Sequence, residues 1–259
     1  MIERNIIFFD IDGTLLDSRK QLPQSAKEAV FRLKEKGHMV AIATGRAPFM
    51  FEDLREELEI DTYVSFNGQY VVLNGEVLYT NPIKPGAIEE LTETASENDH
   101  PVVYLDHQDM KANVPEHSFI RDSVESLKIH RFPSHDPDYY VNRDLYQMFL
   151  VCAEGEEKPY EEQFSDLKFI RWHPYSVDVL PNNGSKAEGI KKITEALGIP
   201  KERQYAFGDA LNDIEMLKSV PNSVAMGNAV EEVKAAAKYV TKSSEEDGIL
   251  YGLQLVGLL

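Results

Sequence analysis

The feature that most constrains the fold is a run of four apolar residues, Ile6 to Phe9, which ends at Asp10 and Asp12. An unbroken run of β-branched and aromatic residues predicts a strand that is buried on both faces. In open α/β sheets ligands bind at the carboxyl ends of the strands, so both acids are placed for chemistry. Asp followed by Gly13 is also an ordinary turn signal. Because two acids so close together repel, we expect a cation such as Mg²⁺, which prefers oxygen ligands, to hold them.

A second strand is predicted directly after the first helix. Residues 24–36 carry apolar side chains at helical spacing, and residues 38–43 form another apolar run that ends at Thr44 and Gly45. A strand, helix and strand in this order imply a right-handed crossover and parallel pairing, which places Thr44 beside Asp10. A threonine hydroxyl and free backbone N–H groups at such a turn can bind a phosphate oxygen, although a helix cap is the commoner role of threonine.

The next elements predict the edge of the same sheet. Residues 49–58 are typical of an acidic amphipathic helix, and residues 63–66 of a short strand that ends at Asn67. Residues 70–79, with Asn-Gly at the centre, predict a β-hairpin. Asn67 is either part of a plain turn or a substrate contact. Arg46 could contact substrate or a second domain, or lie on the surface.

Proline and glycine pairs mark two boundaries in the chain, at residues 81–86 and at residues 181–184. Between them helices alternate with strands, which favours an antiparallel sheet with helices on one face. The predictions in this segment include a helix at residues 157–167 and a loop at residues 132–138. We therefore predict a core domain made of residues 1–81 and 182–259, and an inserted domain made of residues 82–181.

The second half of the core supplies one cation and further acids. Ser185 and Lys186 open a predicted helix, where a positive charge opposes the helix dipole unless an anion binds beside it. A surface lysine with an extended stem is the alternative. The predicted strand at residues 204–207 is followed by Asp209, which can complete a metal site begun by Asp10.

Composition argues against several classes of partner. The chain of 259 residues has 44 acidic and 27 basic side chains, which gives a net charge of −17. A chain this acidic has no overall positive field that would attract nucleic acid or an anionic membrane. Cys152 is the only cysteine, and no secretory apolar segment precedes Asp10, so we expect a cytoplasmic protein. The apolar stretch at residues 248–259 is too short to span a bilayer and predicts a terminal helix. We expect a monomer or a weak homo-oligomer.

Four segments together resemble the motifs of the haloacid dehalogenase (HAD) superfamily, in the form found in Cof-like phosphatases. They are Asp10-Ile11-Asp12-Gly13-Thr14, Thr44-Gly45-Arg46, Ser185-Lys186 and Gly208-Asp209-Ala210-Leu211-Asn212-Asp213. The insertion resembles the type IIB cap of that branch. The resemblance implies an α/β fold with a Rossmann-like parallel-sheet core and an inserted α+β cap domain.

The resemblance also implies a Mg²⁺-dependent phosphatase that hydrolyses small organic phosphate monoesters, with sugar phosphates favoured, through an aspartyl-phosphate intermediate. Asp10 would be the nucleophile and Asp12 the general acid and base. The other implied roles are metal binding by Asp10, Asp12, Asp209 and Asp213, phosphate binding by Thr44, Gly45, Lys186 and Asn212, and candidate substrate contacts by Arg46 and Asn67. A phosphotransferase or mutase, or a low-turnover regulator that binds a phosphometabolite, is the alternative.

Overall fold

A computed structural model of the chain describes residues 4–259. The strands are β1 (Ile6–Phe9), β2 (Met39–Ala43), β3 (Tyr63–Ser65), β4 (Tyr70–Leu73), β5 (Glu76–Thr80), β6 (Val102–Leu105), β7 (Met110–Ala112), β8 (Ser134–His135), β9 (Gln147–Leu150), β10 (Leu167–His173), β11 (Ser176–Pro181), β12 (Gln204–Gly208), β13 (Asn222–Ala225) and β14 (Tyr239–Val240). The α-helices are α1 (Gln24–Glu35), α2 (Glu52–Leu58), α3 (Pro85–Glu97), α4 (Ser118–Ser126), α5 (Lys158–Gln163), α6 (Lys186–Leu197), α7 (Ile214–Ser219), α8 (Glu231–Ala236) and α9 (Gly248–Leu255).

The chain divides into two compact units. The first contains the described part of Met1–Gly45, together with Glu52–Tyr79 and Ser185–Leu259, and the second contains Arg46–Phe51 and Thr80–Gly184. The assignment of residues 1–81 and 182–259 to a catalytic core, and of residues 82–181 to a cap, stays a prediction.

The first unit is built on a sheet with strand order β14-β13-β12-β1-β2-β3-β4-β5 among the described residues. The central strand β1 pairs in parallel with both β12 and β2, and all four of its residues are buried. Because α1 connects β1 to β2, the predicted parallel crossover is present. The predicted α/β class with a parallel central sheet is thus confirmed.

The second unit contains a sheet with strand order β10-β11-β9-β6-β7-β8 in the described part of the chain. From β10 to β7 each pair of adjacent strands is antiparallel, whereas β7 pairs in parallel with the short β8. Apolar residues of α3 and the α5 region, including Leu91 and Tyr160, form one core with Tyr104, Met148 and Val179 on the sheet. The predicted α+β character of this segment is therefore present.

Three local predictions were wrong. The helix predicted for residues 49–58 is interrupted at Phe51, whose backbone leaves the helical region, so α2 begins at Glu52. The helix predicted for residues 157–167 ends at Gln163 because Leu167 pairs with Pro181 at the start of β10. The predicted loop at residues 132–138 contains β8.

The apolar stretch at the end of the described chain forms α9, as predicted. Ile249 and Leu253 are buried, and Gly252 lies so close to the Phe207 ring that an added Cβ would come within 2.5 Å of it. This terminal helix is thus packed on the first unit. Within residues 4–259, no helix has both the length and the apolar character needed to cross a membrane.

Candidate active site

Three neighbouring parallel strands end at the same edge of the first unit's sheet. The backbone N–H of Asp10 donates to the carbonyl of Phe207 in β12 at 3.0 Å, which extends the pairing of β1 by one residue. Asp209 follows β12, and Thr44 follows β2. The sheet therefore brings together the acids and the threonine that the sequence placed at this edge.

Lys186 is buried between two carboxylates. Its Nζ donates to Asp10 Oδ1 at 2.6 Å and to Asp213 Oδ1 at 2.7 Å, and the lysine is 1% exposed. Burial raises the pKa of Asp10 well above its usual value, and Lys186 only partly opposes this shift. Burial likewise disfavours the charged lysine, but the two carboxylates outweigh it and raise the pKa of Lys186. The lysine is therefore an internal counter-ion of the acid cluster.

The start of α6 fixes the position of Lys186. Ser185 caps the helix, because its Oγ accepts the N–H of Glu188 at 3.3 Å and donates to Glu215 at 2.7 Å. A Cβ on Gly68, which has a φ of +100°, would collide with the Ser185 carbonyl. The turn after β3 thus packs directly on the beginning of α6.

Asp213 positions the loop that carries Asp209. Its Oδ2 accepts the backbone N–H groups of Asp209 and Ala210 at 2.9 and 3.0 Å, while its Oδ1 is bound by Lys186. Gly208 is needed beside it, since an added Cβ would lie 2.6 Å from the Asp213 carboxyl carbon. Asp213 is fully buried, and both of its oxygens are engaged.

Asp209 has two partners that the sequence interpretation did not assign. Thr14 Oγ1 donates to Oδ1 at 2.9 Å, and Asn228 Nδ2 donates to Oδ2 at 3.1 Å. Burial, followed by repulsion from Asp213, raises the pKa of Asp209 to about 6. Thr14 lies in the segment that begins at Asp10, but no local signal in the sequence connects either partner with Asp209.

Asp10, Asp209 and Asp213 form a group that can hold a metal ion. Each offers one carboxylate oxygen, and the three oxygens lie within 4.8 Å of one another. The Asp12 carboxylate is not in this group. It accepts from Lys20 Nζ at 2.6 Å, and Lys20 adopts a left-handed backbone with a φ of +60°. This ion pair was missed, because a lysine eight residues after an aspartate gives no pattern of its own.

The predicted phosphate-binding residues lie beside one another. The Thr44 N–H donates to the Val64 carbonyl at 2.8 Å, and the Thr44 carbonyl accepts the N–H of Asn67 at 3.0 Å. An added Cβ on Gly45 would lie 2.9 Å from Asn67 Nδ2. Asn212 Nδ2 donates to Asn67 Oδ1 at 3.0 Å. Thr44, Gly45, Asn67 and Asn212 therefore line one side of the strand-end edge.

Arg46 is placed differently from the other predicted site residues. It belongs to the second unit by its contacts and is 8% exposed, so it is not a surface arginine. Its guanidinium donates to the carbonyl of Leu127 at 3.2 Å and to that of Met50 at 3.4 Å. A role in binding substrate stays a prediction.

Comparison with known proteins places these residues in a family. The family model described as haloacid dehalogenase-like hydrolase matches residues 7–253. A protein of Bacillus subtilis strain 168 with the name "Putative phosphatase YkrA" is 45% identical over 258 residues, which is the full length of both chains.

Two solved structures are similar over nearly the whole chain. A hypothetical protein from Geobacillus kaustophilus HTA426 has 55% identity and a TM-score of 0.93, and the match covers 99% of this chain and 100% of the other. A protein described as the HAD subclass IIB sugar phosphatase BT4131 has 31% identity and a TM-score of 0.88, with 98% and 100% covered. The chain belongs to the haloacid dehalogenase-like hydrolase family.

Proposed function

We propose that this hydrolase is a Mg²⁺-dependent phosphatase that cleaves small organic phosphate monoesters through an aspartyl phosphate on Asp10. The broader class, a phosphoric monoester hydrolase, follows from the family and from the phosphatase names of its relatives. The observation that carries the finer proposal is the position of Asp10. This buried carboxylate ends the central strand and lies beside Lys186, within a cluster of acids that can hold a metal ion.

The residues of the cluster suit a hard divalent cation. The available donors are carboxylate oxygens, which Mg²⁺ prefers, and the raised pKa values of Asp10 and Asp209 reflect buried negative charge that a cation would offset. Asp10 and Asp209 would bind through carboxylate oxygens, Asp12 through its backbone carbonyl and Asp213 mainly through water. When bound, the ion would neutralise charge on the phosphoryl oxygens.

In the first step an Asp10 carboxylate oxygen attacks the phosphorus atom, and the bond between phosphorus and the ester oxygen breaks. Asp12 gives its proton to the departing oxygen, so the leaving group is released as an alcohol. In the second step a water molecule gives a proton to Asp12 and attacks the phosphorus. Inorganic phosphate leaves, and the Asp10 carboxylate is restored.

Phosphoryl transfer depends chiefly on in-line positioning and on neutralising the phosphoryl oxygens. We assign this task to the Thr44 hydroxyl, the Gly45 N–H, Lys186 and Asn212. This assignment is supported by the position of these residues at the same sheet edge as Asp10. Lys186 contacts Asp10 directly, and Asn212 follows Asp209 in the same loop.

We further propose that residues 82–181 act as a cap that selects the leaving group. Sugar phosphates are the favoured class because a structural relative with 31% identity is described as a sugar phosphatase. Transfer to a sugar acceptor, or ligand binding with little turnover, would be distinguished from hydrolysis by the experiment that follows.

The test is phosphate release from a panel of sugar, nucleotide and cofactor phosphates, with Mg²⁺ and with a chelator. Asp10→Asn removes the nucleophile, and Asp61→Asn, at an exposed position of the same unit, is the matched control. We expect Mg²⁺-dependent release that is lost in Asp10→Asn and kept in Asp61→Asn. If well-folded wild-type protein released no phosphate from any ester, the proposed function would be wrong.

A further inference from the structure

Asn67 holds a buried amide group that the proposed mechanism does not use. The residue is 3% exposed, and its Nδ2 has no hydrogen-bond partner within residues 4–259. Leaving a buried donor unpaired is unfavourable, because the group has lost its hydrogen bonds to water. The side chain is nevertheless held firmly, because its Oδ1 accepts from Asn212 Nδ2 at 3.0 Å. The N–H₂ group therefore has a defined direction and lacks an acceptor among the described residues.

The backbone at Asn67 is also unusual. Its φ is +51°, in the left-handed region that non-glycine residues seldom adopt. Its backbone N–H donates to the Thr44 carbonyl, and the next residue, Gly68, packs against the Ser185 carbonyl at the start of α6. These contacts fix the turn between the strand-end edge and the helix that carries Lys186.

The hydrogen bond between Asn67 and Asn212 spans the ends of the central strands. Asn67 follows β3 and Asn212 follows β12, and the sheet order β12-β1-β2-β3 puts two strands between them. Three steps of about 4.8 Å separate these outer strands, so the two loops meet above the ends of β1 and β2. Asp10 and Thr44 follow those strands.

The free Nδ2 lies against Gly45. An added Cβ on Gly45 would come 2.9 Å from this nitrogen, which places the amide directly on the Gly45 backbone. Gly45 and Thr44 are the residues to which we assign phosphate binding. An acceptor bound to them would be close to Asn67 Nδ2 as well.

We propose that Asn67 is a further phosphate-binding residue, whose Nδ2 donates a hydrogen bond to an oxygen of the transferring phosphoryl group. This inference rests on the proposed phosphatase function. A phosphoryl oxygen supplies the acceptor that the buried amide lacks, and a hydrogen bond to a charged acceptor is stronger than one between neutral groups. Asn212 would then have a second task, which is to hold the Asn67 amide in the orientation that donates.

Two variants of Asn67 separate this role from a structural one. Asn67→Asp keeps an oxygen for Asn212 but replaces the donor with a second, negatively charged oxygen. Asn67→Gly removes the amide and tolerates the left-handed backbone. The matched control is Asn74→Asp, because Asn74 has a φ of +50° in the same unit but is exposed on the β4–β5 turn.

The experiment measures the affinity of each protein for inorganic phosphate by calorimetry in the presence of Mg²⁺, together with KM and kcat for the best ester of the panel. Thermal unfolding reports whether each variant is folded. We expect Asn67→Gly to weaken phosphate binding at least about tenfold and Asn67→Asp about a hundredfold, with Asn74→Asp unchanged.

Three results would overturn the inference. If wild-type protein releases phosphate but Asn67→Gly and Asn67→Asp bind phosphate as wild type does, Asn67 is not a phosphate ligand. A loss of thermal stability without a loss of phosphate affinity leads to the same conclusion and leaves the proposed function intact. If wild-type protein neither bound phosphate nor released it from any ester, both the role of Asn67 and the proposed phosphatase function would be wrong.

Discussion

Lys186 shows how single residues make a buried acid cluster tolerable. A carboxylate in a protein interior is costly unless a counter-charge and hydrogen bonds compensate it. The lysine donates to Asp10 and Asp213 at 2.6 and 2.7 Å, and two backbone N–H groups donate to the other carboxylate oxygen of Asp213. Burial, followed by repulsion from Asp213, raises the pKa of Asp209, which has no cationic partner at this distance among the described ion pairs. This imbalance favours binding of a metal cation beside Asp209.

Replacing the buried cation should destabilise the fold as well as abolish activity. Lys186→Met leaves two buried carboxylates without their counter-ion, for which we expect a loss of about 3 kcal/mol in the free energy of unfolding. Lys191→Met, on the same helix with a side chain that is 59% exposed, should change it by less than about 0.5 kcal/mol. Denaturant unfolding in a chelator measures both variants. If Lys186→Met were as stable as Lys191→Met, the contacts of Lys186 with Asp10 and Asp213 would contribute no net stabilisation.

Gly13 allows the loop after β1 to approach Asp209. Its φ is +80°, and an added Cβ would collide with the Asp209 carboxylate. Gly75 has a φ of +81°, but a Cβ there would meet no atom within 4 Å. Both Gly→Ala changes should cost about 1 kcal/mol of backbone strain, while only Gly13→Ala would displace Asp209, to which we assign metal binding.

We therefore expect Gly13→Ala to weaken Mg²⁺ binding and phosphate release at least about tenfold, and Gly75→Ala to leave both unchanged. Titration calorimetry with Mg²⁺ and a phosphate-release assay test this directly. If Gly13→Ala bound Mg²⁺ with normal affinity, the Asp209 carboxylate could shift without weakening the proposed Mg²⁺ site.

At the scale of elements, the apolar runs and their ends made it possible to predict the strands and the positions of the site residues from the sequence. The run before Asp10 is β1, the run before Thr44 is β2, and the predicted strand before Asp209 is β12. In each case a buried strand stops where polar residues begin, so the strand ends could be located without a structure. Parallel crossovers then placed them on one edge.

The remaining contacts could not be predicted because they join residues that are distant in sequence. Asn67 and Asn212 are 145 residues apart, and Thr14 and Asp209 are 195 apart. No spacing rule connects such pairs, and only the folded sheet brings them together. The early end of α5 has a similar cause, since the strand pairing of Leu167 overrides a helical pattern in the local sequence.

The pair Glu157–Arg171 joins the beginning of α5 to β10 in the second unit. Arg171 binds both Glu157 oxygens, at 2.9 and 2.6 Å. These hydrogen bonds hold the pKa of Glu157 at about 2, well below the usual glutamate value of 4.5. Because the folded-state pKa is lowered, the pair contributes its full stability above about pH 4.5 and loses it as the pH falls toward 2.

Glu157→Gln should therefore lower the free energy of unfolding by about 1–2 kcal/mol near neutral pH, with a difference that shrinks below about pH 4.5. Glu162→Gln, at an exposed position of the same helix, is the control and should have no effect. Thermal unfolding across this pH range is the measurement. A difference from wild type that does not depend on pH would contradict the assigned role of the charge.

For the whole molecule, we expect the acid cluster to make stability depend on both pH and metal. The chain carries a net charge of −17, and burial raises the folded-state pKa of Asp209 to about 6, from a usual aspartate value of 3.8. Since this pKa is raised, the stabilising, protonated form is fully present below about pH 3.8 and is lost as the pH rises through 6. The metal-free protein should thus become less stable over that interval, when Asp209 is considered alone.

A cation bound at the cluster would reverse this trend, because it would bind the ionised carboxylates. We expect Mg²⁺ to raise the midpoint of thermal unfolding little at about pH 5 and fully above about pH 7, where a hundredfold excess over Kd contributes about 2.7 kcal/mol. The comparison is made against a chelator, with NaCl at matched ionic strength to separate site binding from screening of the overall charge. Asp209→Asn should lose most of the Mg²⁺ response and keep the response to NaCl. If both salts stabilise wild type and Asp209→Asn equally, the effect of Mg²⁺ is general screening, and the cluster does not hold the ion.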